Sequence, residues 1–326
     1  MNEPLLQRIN SYITTNCLLT PNSKIVVGLS GGPDSVFLLH YLADLQKSGA
    51  ITSLVAAHLD HEWRAESHKD AEFCHELARS LGINLISRKL SELNLSLKFN
   101  GSHEEIGRKA RRTFFQKLLQ ETGSNHIALA HHLQDQQETF FIRLLRGATL
   151  TGLTAMQAKD DVYIRPLLQT SKPDILAYLD AHNILYLTDP TNTSDAFLRN
   201  RIRMSVLPTL QNCDNRFDKN FMATLQRLQD TESFLDELTT TTFQDLAEQN
   251  NGSWHINVTK LLTLHPIMRY RALLHWLCHE KVPFGPTQNF FDELLRFLDG
   301  NDSKTHRAHH AWSLIKKKQT AWIVKI

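Results

Sequence analysis

Cysteine is scarce in this sequence. Its four occurrences are widely separated: Cys17, Cys74, Cys213 and Cys278. This spacing excludes a disulfide framework and a Cys-x-x-Cys pair for metal or redox chemistry, so we expect ordinary buried thiols. Long apolar runs are also missing, and the first residues lack the basic and then apolar layout of a secretory signal. The sequence therefore predicts a cytoplasmic protein that makes no membrane contact.

A large excess of either charge is absent as well. Lys and Arg number 36 against 34 Asp and Glu, which leaves a formal net charge of +2. This balance neither demands nor forbids a polyanionic partner, because local clustering sets the field that a nucleic acid feels. With 326 residues, of which 41% are hydrophobic, the chain can form one large core or two domains.

Short apolar segments alternate with amphipathic ones along the first two thirds of the chain. Residues 24–29 are apolar and β-branched, as in a buried parallel strand, and residues 36–45 have helical spacing. The alternation continues through the segments 54–58, 70–81, 84–87, 104–120, 126–130 and 134–146. This rhythm predicts an α/β fold with a doubly wound parallel sheet.

The last third has a different pattern. Residues 217–248 and 265–298 have helical spacing without intervening strands, and residues 312–324 are typical of a β-hairpin around a basic turn. We therefore expect one domain over residues 1–213 and a second, mainly helical domain over residues 214–326.

A glycine-containing loop follows the first predicted strand: Ser30-Gly31-Gly32-Pro33-Asp34-Ser35. Joining a strand to a helix, it gathers backbone N–H groups, two hydroxyls and the positive helix end around one anion site. It differs from the loop of common kinases and GTPases, because Pro33-Asp34 replaces the Lys-Ser/Thr pair. We interpret it as a phosphate cradle in which Asp34 suits Mg²⁺. The alternative is an ordinary glycine turn capped by Ser and Asp.

This hexamer resembles the pyrophosphate-binding loop (PP-loop) of the N-type ATP pyrophosphatases, which have an adenine nucleotide alpha hydrolase-like fold. The resemblance implies that residues 1–213 form a PP-loop catalytic domain. It also implies that residues 30–35 and His58 bind ATP and that Asp34 holds Mg²⁺. Members of this family activate an oxygen with AMP while the loop holds the departing pyrophosphate.

A second motif begins with a histidine pair: His131-His132-Leu133-Gln134-Asp135-Gln136-Gln137-Glu138-Thr139. Asp135 and Glu138 share a helix face, with Arg143 and Arg146 one and two turns further on. Charge spacing alone favours a solvated helix with internal ion pairs, but the position directly after a strand favours a site. The motif resembles the lysidine synthases of the family. That resemblance implies catalytic roles for His132, Asp135 and Glu138, and tRNA contacts for Arg143 and Arg146.

The segment after the second strand agrees with this branch of the family. It reads His61-Glu62-Trp63-Arg64-Ala65-Glu66-Ser67, where the branch usually has His-Gly-Leu-Arg-x-Glu-Ser. Glu62 and Trp63 are therefore departures from the family pattern, and they put the shape of this loop in question.

A basic helix also matches. Residues 107–112 correspond to the branch's Ala-Arg-x-x-Arg-Tyr segment, with Gly107 for the alanine and Arg112 for the aromatic residue. The match implies catalytic roles for Arg108 and Arg111. The alternative is a solvated basic helix.

The last match consists of Asp189-Pro190-Thr191-Asn192 and a following arginine-rich segment. Arg199 and Arg203 are four residues apart on a predicted helix, so they present one cationic edge. We expect Arg203 in the catalytic site and Arg199 on tRNA, although this edge suits either ATP or the anticodon backbone.

The resemblance covers about residues 20–210. It implies ligation of free L-lysine to C2 of the wobble cytidine in the CAU anticodon of tRNA(Ile), through an adenylated cytidine, with release of AMP and pyrophosphate. ATP and Mg²⁺ are the implied cofactors, and a homodimer is a candidate assembly. In the last third, Lys316 and Lys317 are expected to bind the tRNA backbone, with a merely solvated turn as the alternative.

Two other functions stay open. The first is another AMP-forming PP-loop enzyme that modifies tRNA, although thiolation is disfavoured because no cysteine lies in a motif. The second is a non-catalytic tRNA-binding or nucleotide-sensing protein, which the completeness of the motifs disfavours.

Overall fold

The computed structural model of the protein describes residues 3–64, 66–93, 103–188, 197–250, 252–285, 287–300 and 304–326. The chain forms two compact units, Met1–Gln226 and Arg227–Ile326. No helix in the described ranges is long and apolar enough to cross a membrane. Of the four cysteines only Cys74 is buried, so the expectation of buried thiols is wrong for the other three.

The first unit alternates strands and helices, as predicted. Its strands are β1 (Lys24–Gly28), β2 (Ser53–Asp60), β3 (Asn84–Lys89), β4 (His126–Ala128), β5 (Lys159–Asp160) and β6 (Tyr163–Ile164). The described helices are α1 (Pro4–Thr15), α2 (Pro33–Lys47), α3 (Ser67–Ser80), α4 (His103–Thr122), α5 (Leu133–Leu145), α6 (Leu150–Leu153), α7 (Lys172–Ala181), α8 (Leu198–Arg201) and α9 (Leu207–Cys213). A short 3₁₀ turn occupies Leu90–Leu93, and a π-helical turn at Ile202–Val206 connects α8 to α9.

These strands form one sheet in the order β3-β2-β1-β4-β6-β5, and only β5 runs antiparallel to its neighbour. The chain moves outward from β1 to β3 and then returns to the other side of β1. This reversal lies between β1 and β4, which is where doubly wound sheets bind ligands. The predicted α/β fold is thus confirmed, and the loops after β1 and β4 flank the switch point.

The sheet is buried on both faces. Ile25 and Val27 of β1 join the apolar cluster formed with α1, α2 and α7, whereas Val26 joins the cluster formed with α4. All three side chains are fully buried. A continuous apolar run, rather than an alternating one, is what a strand covered by helices on both faces requires.

The second unit contains more sheet than expected. Helix α10 (Phe217–Leu246) ends in it and is followed by α11 (Val258–Thr263), α12 (Pro266–His279) and α13 (Gln288–Asp299). Five strands, β7 (Ala247–Asn250), β8 (Ser253–Asn257), β9 (Lys304–His309), β10 (Trp312–Lys317) and β11 (Thr320–Lys325), pair antiparallel in the order β7-β8-β11-β10-β9.

The predicted hairpin is β10–β11, with Lys317 opposite Thr320. The absence of strands between residues 217 and 298 is a wrong prediction. Strand β8 pairs with β7 on one side and with β11 on the other, a partner that local periodicity does not reveal.

Lys316 does not lie on the exposed side of the hairpin. Its side chain is buried, and its ammonium donates hydrogen bonds to the carbonyl oxygens of Leu298 and Gly300 at the end of α13. A cation suits these carbonyl groups because the C-terminal end of a helix is electronegative. The structure therefore contradicts the expectation that Lys316 binds RNA, whereas Lys317 is exposed and stays a candidate.

Replacing Lys316 should accordingly affect folding. We expect Lys316→Met to lower the free energy of unfolding by about 1.5 to 3 kcal/mol, because two carbonyl groups lose a charged donor. Lys317→Met, at the neighbouring exposed position, should change it by less than about 0.5 kcal/mol. Urea denaturation of both variants measures this difference, and equal stabilities would contradict the capping role.

Candidate active site

Hydrogen bonds of Ser35 fix the shape of the loop after β1. Ser35 Oγ accepts a hydrogen bond from the Ser30 N–H at 3.1 Å and donates one to the Gly32 carbonyl at 2.9 Å. Gly31 has a φ of +82°, and a Cβ there would lie 2.8 Å from Leu187 Cδ1. Only glycine fits this backbone without strain. Pro33 then begins α2, so the N-terminal end of the helix faces the loop.

Asp34, in the first turn of α2, forms an ion pair that sequence analysis missed. Both of its carboxylate oxygens lie 2.6 Å from Lys172 Nζ. Lys172 is the first residue of α7, and its backbone N–H donates to Gln134 Oε1 at 2.9 Å. The pair thus connects the phosphate-cradle loop to the second motif. A cation in the first turn of a helix is disfavoured by the helix dipole, and this anomaly was the available signal that Lys172 has an anionic partner.

His132 lies between two carboxylates. Its Nε2 atom is 3.7 Å from Asp34 Oδ1 and 3.6 Å from Asp135 Oδ2. Asp135 also accepts a hydrogen bond from the His132 N–H at 3.0 Å, which caps the start of α5. Burial alone would raise the pKa of Asp135, but His132, His131 and Arg199 together hold that pKa below its usual value. Asp135 is therefore ionised at neutral pH.

Glu138 is completely buried and bound by two arginines. Arg199 Nε donates to Oε2 at 2.7 Å, and Arg203 donates to Oε1 at 2.5 Å and to Oε2 at 3.1 Å. The hydrogen bond to Glu138 raises the pKa of Arg203. Arg203 lies in the π-helical turn, a rare backbone form that is frequent at functional sites.

Three cations and three carboxylates thus form one connected series in this part of the molecule, with His132 between two of the carboxylates. Arg199 closes the series, because its Nη2 lies 3.8 Å from Asp135 Oδ1. We call this set the charge ladder; with His132 between Asp34 and Asp135, it consists of Lys172, Asp34, Asp135, Arg199, Glu138 and Arg203. Its formal charges cancel, so a polyanion that enters must take over some of the existing ion pairs.

Three histidines lie at the carboxyl ends of the strands: His58 is buried, whereas His61 and His131 are partly buried. His58 Nδ1 is 2.9 Å from the Leu29 carbonyl oxygen, which requires the proton on Nδ1 and leaves Nε2 as an acceptor. Burial lowers the pKa of His58 and brings those of His61 and His131 to about 4. His58 Nε2, His61 Nδ1 and His131 Nδ1 are buried and have no hydrogen-bond partner among the described residues. Buried polar atoms of this kind mark places where a ligand can bind.

The remaining predicted residues lie outside the charge ladder. Arg143 donates to the carbonyl oxygens of Gly152 and Ala155 at 2.8 and 2.9 Å, so its guanidinium stabilises the turn around α6. Arg146 and Arg108 are exposed, and Arg111 Nε lies 3.3 Å from the Gly107 carbonyl oxygen. The predicted motif at residues 189–192 lies outside the described residues.

A sequence profile of the PP-loop domain matches residues 1–210, which include the loop at residues 30–35 and every member of the charge ladder. The chain therefore belongs to the PP-loop family, as its motifs indicate. This family assignment confirms the resemblance drawn from the hexamer after β1.

Curated relatives narrow the comparison. The chain is 28% identical over 308 residues to the tRNA(Ile)-lysidine synthase of Bacillus cereus, covering 91% of this chain and 64% of that protein. It is 36% identical over 239 residues to that of Geobacter sulfurreducens, covering 72% and 50%, respectively. With the enzyme of Persephonella marina it shares 28% identity over all of this chain and 70% of that protein. The chain thus spans about two thirds or less of the length of most of these relatives.

Among solved structures, the U34-tRNA thiolase NcsA of Methanococcus maripaludis with its [4Fe-4S] cluster is similar in fold. The TM-score is 0.59 at 17% identity, covering 69% of this chain and 79% of that one. This similarity supports the topology of the parallel sheet.

The lowered pKa values of His61 and His131 predict a pH dependence of stability. Between the folded pKa of about 4 of these two histidines and the ordinary value of 6.5, the unfolded chain binds protons that the folded chain excludes. Stability should therefore fall as the pH drops from 7 to 5, by up to about 2 kcal/mol for each histidine. Urea denaturation should show a smaller loss in His131→Gln, whereas His75→Gln, an exposed control on α3, should keep the full loss. Equal losses in the two variants would contradict this account.

Proposed function

We propose that the protein is an ATP-dependent ligase that joins L-lysine to the wobble cytidine of tRNA(Ile), releasing AMP and pyrophosphate. One observation carries the proposal: the charge ladder connects the PP-loop to the second motif through the contacts of Asp34, His132 and Asp135. The similarity to tRNA(Ile)-lysidine synthases supports this choice over other AMP-forming enzymes.

ATP binding follows from the loop and from His58. The hydroxyls of Ser30 and Ser35, the backbone N–H groups of the loop and the start of α2 suit the phosphates. His58 Nε2 is an acceptor, so it suits a donor of the nucleoside, either a ribose hydroxyl or the adenine amino group.

Asp34 is the residue that would hold Mg²⁺. A magnesium ion in an ATP-using enzyme takes one or two carboxylates, and the phosphates and water supply the other ligands. Asp34 lies beside the loop and fits this pattern, although Lys172 binds the same oxygens. When bound, Mg²⁺ would neutralise charge on the phosphates. Lys172, once Asp34 binds the metal, would be free to contact a phosphate oxygen.

Asp135 suits the ammonium group of lysine better than Glu138 does. Both oxygens of Glu138 already accept hydrogen bonds from arginines, and its side chain is fully buried. Asp135 Oδ1 lies 3.8 Å from Arg199 Nη2, a longer contact than the hydrogen bonds that Glu138 accepts. The lowered pKa of Asp135 keeps its carboxylate charged. A carboxylate of low pKa orients an ammonium group but accepts its proton poorly, so Asp135 acts in positioning.

For the tRNA, exposed cations are the candidates. Arg108 and Arg111 on α4 and Arg146 at the end of α5 are exposed, as is Lys317. Glu138 and the two arginines that bind it hold α8 beside α5, and Arg199 and Arg203 suit the activated phosphate or the anticodon backbone.

The activity can be measured directly. The protein is incubated with ATP, Mg²⁺, radiolabelled lysine and unmodified tRNA(Ile) with a CAU anticodon, and label in the wobble nucleoside is counted. Asp34→Ala should reduce incorporation by at least about a hundredfold, because the carboxylate that would hold Mg²⁺ against the phosphates is lost. AMP formation without lysine incorporation would contradict lysine as the nucleophile, and no AMP formation would contradict the enzyme assignment.

Asp135→Asn tests the lysine site. Losing one charge-assisted contact, worth about 1.5 to 3 kcal/mol, should raise the KM for lysine about ten- to hundredfold. The rate of ATP–pyrophosphate exchange in the presence of tRNA should change much less. Asp161→Asn, an exposed carboxylate between β5 and β6, is the matched control and should leave both values unchanged. An unchanged KM for lysine in Asp135→Asn would overturn this role.

A further inference from the structure

Two aromatic side chains stack just beyond the carboxyl end of β2. The ring centroids of His61 and Trp63 are 4.5 Å apart, with an interplanar angle of 19°. Trp63 keeps 47% of its surface exposed, although an indole ring is among the most favourable groups to bury. Burial lowers the pKa of His61 to about 4, so its ring is neutral at pH 7. We call this pair the aromatic platform.

The backbone fixes the platform in place. Glu62, which lies between His61 and Trp63 in the sequence, has a φ of +55°, which is rare for a residue with a side chain. Its N–H donates to Asp60 Oδ1 at 2.8 Å, and its carboxylate accepts a hydrogen bond from the Ser91 N–H at 2.9 Å. A positive φ is free of strain for glycine but costs energy for glutamate. The two hydrogen bonds of Glu62 offset this cost and stabilise the turn.

Helix α4 makes room for the indole. A Cβ added to Gly107 would lie 2.7 Å from Trp63 Cη2 and 3.4 Å from His61 Cε1. Alanine at position 107 therefore cannot coexist with Trp63 unless one of them shifts. The lysidine synthases usually have alanine and leucine at these two positions. Trp63 and Gly107, which both depart from the family pattern, thus contact each other, and the small residue at position 107 leaves room for the large one at position 63.

The surroundings of the platform favour a nucleic acid. Arg111 lies beside the platform, because its Nε is 3.3 Å from the carbonyl oxygen of Gly107, the residue that faces both rings. Arg108 and Arg111 are both exposed on α4. Exposed aromatic rings beside cations are how proteins bind single-stranded nucleic acid, because bases stack on the rings while the cations contact phosphates.

The exposure of Trp63 indicates that the ligand of the platform is a larger molecule than ATP. Small-molecule sites bury about 70 to 90% of their ligand in a concave pocket. A ring that keeps almost half of its surface exposed suits a base presented by a large molecule, which itself covers the ring on binding. We propose that the aromatic platform stacks on an unpaired nucleobase in the anticodon loop of the tRNA substrate. This inference rests on the proposed function, since it requires an RNA substrate.

The test compares the RNA and ATP affinities of the full chain. The probe is an anticodon stem-loop RNA with the sequence CAU, titrated by fluorescence anisotropy. Trp63→Ala should weaken RNA binding about five- to hundredfold, the range for losing one base–aromatic stack, while Trp63→Phe should keep most of the affinity. The affinity for ATP should be the same in the unsubstituted protein, Trp63→Ala and Trp63→Phe. Phe234→Ala removes another exposed aromatic ring, on α10, and should leave RNA binding unchanged.

Gly107→Ala supplies a second, independent measurement. It should weaken RNA binding by displacing Trp63, but it should cause no further loss when added to Trp63→Leu, because leucine leaves room for the Cβ. Retained RNA affinity in Trp63→Ala would overturn the platform, and so would equal losses from Gly107→Ala in both backgrounds. A loss of ATP affinity with unchanged RNA affinity would assign the ring to adenine instead. If the unsubstituted chain binds no RNA, the proposed function fails together with the platform, and this result is distinct from binding that ignores Trp63.

Discussion

The buried charge of Glu138 is the constraint on which the rest of the site depends. A carboxylate with no exposed surface is tolerated only when donors satisfy its oxygens, and Arg199 and Arg203 do so with three hydrogen bonds. These bonds tie α8 and the π-helical turn to α5. Because α5 starts directly after β4, they also fix the arginines relative to the sheet.

From that fixed point the remaining contacts follow in order. Arg199 reaches Asp135, Asp135 caps α5 through the His132 N–H, and His132 lies beside Asp34. Asp34 in turn binds Lys172 at the start of α7. Side chains from four helices therefore converge at the carboxyl ends of β1 and β4, where the strand order of the sheet reverses. Their charges balance without a ligand, so the site is poised to exchange internal ion pairs for contacts to phosphate.

The parallel sheet and its ligand-binding edge were predictable because their causes are local. The run Ile25-Val26-Val27 is apolar on both faces, and a glycine-containing loop follows it. The strand, the loop and the next helix can therefore be predicted from adjacent residues. The resemblance supplied the second motif and the family. The Asp34–Lys172 pair was not predictable in this way, because its partners are 138 residues apart.

Other errors have the same origin. Lys316 belongs to a basic run, but tertiary packing turns its side chain toward the end of α13 while Lys317 faces solvent. Strand β8 is missed because β11 stabilises it from about 65 positions away in the chain. By contrast, Glu62 and Trp63 were visible as departures from a pattern, and only the structure connects them to Gly107.

A double-mutant cycle on Glu138 and Arg203 tests the central claim most directly. The unfolding free energies of the starting protein, Glu138→Gln, Arg203→Met and the double variant are measured by urea denaturation. We expect a coupling energy of about 2 to 3 kcal/mol, because Arg203→Met removes two of the three hydrogen bonds to the buried Glu138 carboxylate and leaves Arg199 as its counter-charge. A parallel cycle on Glu138 and the exposed Arg146 should give less than about 0.5 kcal/mol. A coupling for the first pair as small as that for the second would contradict the claim that the buried carboxylate organises the site.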